Sequence, residues 1–129
     1  MKRRLALWGP VALWAGLLFF ASSRSDVGPA ARVPDWLTHG TAYLAFAMLL
    51  ARAVRGGFGR PLPARTALAV VLAATLYGVS DEWHQSFVPG RDSSWGDVAK
   101  DAAGALLGVW VFRRLSSRAA SRLGARAPA

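Results

Sequence analysis

Asp35, His39 and Tyr43 stand four residues apart, and Tyr77, Asp81 and Gln85 repeat that spacing. On a helix, positions i, i+4 and i+8 share one face, so each set makes a polar stripe. Glu82 stands beside Asp81, and Asp97 and Asp101 form another one-turn pair. Arg91 follows a Pro89-Gly90 turn between these groups. Clustered carboxylates with an imidazole can move protons or hold a divalent cation. A guanidinium fork binds carboxylate or phosphate in bidentate fashion. Asp35, His39, Tyr43, Tyr77, Asp81, Glu82, Gln85, Arg91, Asp97 and Asp101 are therefore expected to converge on one ligand-binding site. His84 is a further candidate metal ligand.

Each of these residues also has a purely structural reading. Asp35 taken alone reads as a helix N-cap, and His39 and Tyr43 as polar anchors near an interface. Together the three read as an inward-facing stripe. Asp81 and Glu82 could lie in a solvated loop. As the C-terminus of a helix, however, they oppose its dipole, and in hydrocarbon they cost on the order of a few kcal/mol. Arg91, His39 or a bound cation is expected to hold them. Ser94 and Asp97 fit a capping box, with Asp in place of the usual Glu. Asp101 lies a turn deeper, beyond the reach of capping, and needs a partner. Arg91 is the best partner for one of the acids, while Lys100 points elsewhere on the helix. Gly104 and Gly108 have the spacing that lets membrane helices pack closely.

Four apolar blocks must position these groups: residues 5–21, 37–54, 66–83 and 95–112. A membrane helix takes roughly 20 mostly apolar residues, and only helices or closed barrels satisfy the backbone in lipid. The blocks are too long and too rich in Leu and Ala for barrel strands. The expected fold is all-α, a four-helix transmembrane bundle spanning residues 1–115, followed by a basic cytoplasmic tail at 116–129. Lys2, Arg3 and Arg4 precede the first block. Arg52, Arg55, Arg60 and Arg65 fill or border the Gly/Pro-rich second loop. Arg113, Arg114, Arg118, Arg122 and Arg126 follow the fourth block. Basic residues mark cytoplasmic loops, so both termini are expected inside and loops 22–36 and 84–94 outside. All seven acidic residues, Asp26 and Asp92 included, then fall toward the outer side.

The first block also fits a cleaved signal peptide loosely, with its basic start and Ala21-Ser22-Ser23 after the apolar core. With 53% hydrophobic residues, the net charge of +9 reads as membrane flanking rather than nucleic-acid binding. The chain has no Cys, which excludes disulfides, thiolate nucleophiles and thiolate metal sites.

The three motifs together resemble the VanZ-like family: Asp35-x-x-x-His39-x-x-x-Tyr43, the run Tyr77 to Arg91, and Asp97-x-x-x-Asp101-x-x-Gly104-x-x-x-Gly108. The resemblance covers about residues 22–112. Two positions depart from the family pattern. Trp36 stands where Lys is usual, removing an ion-pair partner for Asp35. Asp101 stands where Asn is usual, adding a negative charge. The family takes its name from a protein giving low-level resistance to the glycopeptide teicoplanin. The resemblance thus implies a multi-pass protein of the bacterial cytoplasmic (inner) membrane with a cell-envelope role, but no particular reaction. Its partners would be the bilayer and a lipid-linked envelope ligand or glycopeptide. The alternatives are a hydrolase or transferase on a lipid-linked envelope substrate, assisted by a divalent metal, and a proton-coupled transporter.

Overall fold

A computed structural model describes residues 1–25 and 33–124. Four helices make up the fold: α1 (Lys2–Ser22), α2 (Asp35–Arg55), α3 (Ala64–Gln85) and α4 (Trp95–Gly124). They run alternately up and down. Asp26 and Arg32, expected in the first outer loop, lie outside the described residues, as does Arg126 of the tail.

Local sequence sets the ends. α2 stops at Gly56, whose positive φ of 72° suits a residue without a side chain. The Gly56 amide donates to Ala53 and that of Gly57 to Arg52, capping the last free carbonyls. Between α3 and α4, Gly90 takes φ 79° and the Arg91 amide donates to the Val88 carbonyl. That is the tight turn expected of Pro89-Gly90. α4 overruns the expected end at residue 112 and continues to Gly124. Its apolar run ends near Phe112, but no Pro or Gly interrupts the helix until Gly124, and hydropathy alone does not stop a helix.

α2 and α4 form the most extensive helix pair. Their backbones touch where Gly104 faces the Gly40 carbonyl and Gly108 faces the Leu44 carbonyl. The core beneath is built from small and aromatic side chains: Phe46, Ala47 and Ala51 of α2, Val70 and Ala74 of α3, and Ala105, Val109 and Phe112 of α4. α1 is tied in by side-chain bonds to backbone. Trp14 Nε1 donates to the Ala42 carbonyl at 3.0 Å, and the Tyr77 hydroxyl to the Ala15 carbonyl at 2.7 Å. Pro10 has no N–H, so the Ala6 carbonyl lacks its usual helical donor. Arg52 supplies one from α2, at 3.2 Å.

The outer surface is apolar. α1 exposes Leu13, Leu17 and Phe20, α3 exposes Leu68, Leu72 and Leu76, and α4 exposes Leu106, Leu107 and Trp110. Among the described residues, α1 and α2 are long and apolar enough to cross a membrane. α3 and α4 carry their acids in the halves that build the site, and α4 also carries Arg113, Arg114 and Arg118 beyond its apolar run.

Candidate functional site

The polar end of the bundle gathers the C-termini of α1 and α3 with the N-termini of α2 and α4. Asp35 opens α2 but does not cap it, since Pro34 holds the cap position and no side chain bonds there. The Asp35 carboxylate instead accepts from Lys100 Nζ on α4. Lys100 also donates to Asp97, one turn back on its own helix. Lys100 thus bridges α2 and α4. Lys100 does point away from its neighbour Asp101, but it pairs with two other acids: i and i+3 are surface neighbours on a helix, and the long stem reaches across to α2. It supplies the positive charge that Trp36 does not.

His39 lies a turn deeper. Its Nδ1 is 2.9 Å from Asp101 Oδ1, and its Nε2 is 3.5 Å from Asp35 Oδ1. Asp101 is completely buried, and its other oxygen, Oδ2, has no hydrogen-bond partner among the described residues. Gly78 of α3 makes room for that carboxylate, because a Cβ there would come within 2.7 Å of Oδ2. Nothing in the residue spacing marked Gly78. It becomes visible only once α3 and α4 are packed.

Asp81, Glu82 and Gln85 at the end of α3 are all buried, so the solvated-loop reading does not hold. Gln85 Nε2 donates to Asp81 Oδ2 at 3.3 Å. The Ser94 amide donates to Glu82 Oε2 at 2.8 Å. That bond replaces half of the expected capping box. Ser94 Oγ still caps α4 by accepting from the Gly96 amide at 3.0 Å, but the Asp97 carboxylate goes to Lys100 rather than back to Ser94. One oxygen each of Asp81 and Glu82 is buried without a partner, as is the Tyr43 hydroxyl.

A cavity of about 280 Å³ opens at this end. Asp35, His39, Tyr43, Asp81, Gln85 and Arg91 form its polar wall, while Leu18, Ala21 and Val33 give it an apolar side. Arg91 was expected to pair with an acid. Among the described residues it makes no ion pair, and its Nε is buried without a partner. Asp101 lies behind this wall, joined to it through His39, with Glu82 close by, and Asp97 joins through Lys100. Tyr77 faces α1 through its bond to Ala15. His84 also turns to α1, with Nε2 3.0 Å from Ser23 Oγ and its ring stacked on Phe19. Two groups offer converging metal-ligand atoms within 4.8 Å of one another: Asp35, His39 and Asp97, and His39, Glu82 and Asp101.

The VanZ/LLP1 family model matches residues 7–116. The chain belongs to the VanZ/LLP1 family. No curated protein and no solved structure matches it. The match runs from the first turns of α1 to Ser116 on α4, so it takes in every helix that lines the VanZ-like cavity. With this membership and two apolar helices, the chain is a VanZ-like membrane protein.

Proposed function

We propose that this protein crosses the bacterial cytoplasmic membrane four times, with both termini inside, and binds a lipid-linked envelope ligand or lipid-tailed glycopeptide such as teicoplanin at its outer face. The cavity carries the reading. Its polar wall, with Arg91 in no ion pair among the described residues, suits an anionic headgroup, sugar or peptide, and its Leu18–Ala21–Val33 side suits the start of an acyl chain. Ligand sites of this kind are mostly apolar with a few converging polar groups.

Four spans are supported by the outer faces. α3 and α4 turn Leu and Trp outward and keep their acids inward, the reverse of a soluble bundle. Trp36, Trp83 and Trp95 are exposed at the polar end, where an aromatic belt sits at an interface. The basic residues Arg3, Arg52, Arg55, Arg114 and Arg118 gather at the opposite end, as expected of the cytoplasmic side. The absence of Cys makes this simple to test. Ser25→Cys and Ser93→Cys should react with a membrane-impermeant maleimide on intact cells, and Ser117→Cys only after lysis. Labelling of Ser117→Cys on intact cells would reverse the orientation.

Arg91→Ala should weaken binding of radiolabelled teicoplanin or lipid-linked cell-wall precursor to the purified protein. A hydrogen bond to a charged group contributes about 1.5–3 kcal/mol, so the loss should be about 10- to 100-fold. Cells carrying the variant should lose protection in a teicoplanin-sensitivity assay with the protein still in the membrane. Unchanged binding in Arg91→Ala would remove the guanidinium from the site. A second reading, hydrolysis or group transfer on the same ligand, draws on the His39–Asp101 pair at 2.9 Å, and product formation from the labelled precursor would reveal it.

A further inference from the structure

Asp81, Glu82 and Asp101 are three buried carboxylates. The lysine at this end is already shared between Asp35 and Asp97. Among the described residues, neither Lys nor Arg pairs with any of the three. His39 touches only Asp101 of them, at 2.9 Å. Glu82 and Asp101 are 5% and 0% exposed, and each keeps one oxygen that no donor among the described residues reaches. Native proteins pair nearly every buried polar atom, and an unpaired buried charge costs several kcal/mol. Two such oxygens, on acids that converge on one imidazole, call for a positive centre that the side chains do not provide.

We propose that His39, Glu82 and Asp101 hold a divalent cation of the Mn²⁺ or Zn²⁺ kind just behind the cavity wall. One ligand atom from each lies within 4.8 Å of the other two. The 2.9 Å from His39 Nδ1 to Asp101 Oδ1 is close to the separation of neighbouring ligands at right angles around a six-coordinate ion with bonds of about 2.1 Å. An imidazole among carboxylates selects transition-type ions over Ca²⁺ or Mg²⁺, which take all-oxygen sets. The Ser94 amide on Glu82 Oε2 fixes that carboxylate, as the outer contacts of metal ligands do. The alternative group, Asp35 with His39 and Asp97, is the poorer host, because Asp35 is exposed and Lys100 already neutralises both acids. Charge closes as well: three carboxylates against a doubly charged ion leave one negative charge, and Arg91 lines the adjoining cavity together with Asp81. The ion deepens the ligand-binding reading, since His39 joins it to the cavity wall. It needs no envelope ligand, however, and stands or falls separately.

The test uses the full-length protein in detergent, stripped with EDTA and dialysed against Mn²⁺ or Zn²⁺ alone. About one equivalent should bind, and bound ion should raise the melting temperature. Glu82→Gln and Asp101→Asn keep shape but remove an anionic ligand, and each should weaken binding at least about 10-fold. Asp92→Asn, at an exposed carboxylate outside both groups, should stay within about twofold of the parent. A parent protein that takes up no ion at millimolar metal overturns the proposal. So does full occupancy retained in both Glu82→Gln and Asp101→Asn, or loss confined to Asp35→Asn. The outcome of Arg91→Ala in the teicoplanin assay bears on none of these readings.

Discussion

Gly104→Ala should destabilise the bundle sharply, Gly104→Leu should leave little folded protein, and Gly40→Ala should be neutral or slightly stabilising. The two glycines face each other across α2 and α4, yet they are not equivalent. A Cβ on Gly104 would run into the Gly40 carbonyl oxygen, its carbon and its Cα, all backbone atoms that cannot swing aside. A Cβ on Gly40 meets nothing within 4 Å. Overpacking a close contact costs about 1–3 kcal/mol, and a leucine side chain costs more because the helices must separate. Gly→Ala in a helix otherwise gains about 0.5–1 kcal/mol. The separation would also pull His39 on α2 away from Asp101 on α4, since both lie within a turn of the contact. Detergent denaturation curves and size-exclusion profiles of the three variants would check the order. Equal stability of Gly104→Ala and Gly40→Ala would mean that α2 and α4 do not approach this closely.

The helices and the polar stripe were legible because periodicity is local. Asp35, His39 and Tyr43 had to share a face once the run around them was helical, and all three line the cavity. Gly104 and Gly108 announced a close contact, though not its partner. What the spacing did not give was pairing across helices. Arg91 looked like the natural partner of an acid because of its fork, but a tight turn sends it to the cavity wall. Lys100 looked misplaced because the comparison was with its neighbour Asp101, when its charge works one turn back and on another helix. Ser94 was read through its hydroxyl, and its amide proved to hold Glu82. These contacts join residues far apart in sequence, and no local pattern encodes them. The end of α4 was missed for a different reason. Hydropathy reports where apolar residues stop, while helix propensity and capping decide where the helix does.

His39→Ala, measured in EDTA, should cost about 3–5 kcal/mol, because it leaves the Asp101 carboxylate buried with nothing to hold it. Gly78 and Glu82 beside it offer no donor to Oδ2. Asp101→Asn should be far milder, about 1 kcal/mol. The amide oxygen can still accept from His39 Nδ1, and the buried charge is gone. The double variant His39→Ala/Asp101→Asn should therefore be more stable than His39→Ala alone, so the two effects should fall well short of additive. Contacting pairs of this kind show interaction energies of about 0.5–3 kcal/mol. A purely packing role for the imidazole predicts the opposite: the second substitution would add its own cost to the cavity left by the first. Denaturation of the four proteins in one detergent separates the cases. A double variant no more stable than His39→Ala would show that the Asp101 charge is satisfied elsewhere, and the argument from uncompensated buried acids would fail with it.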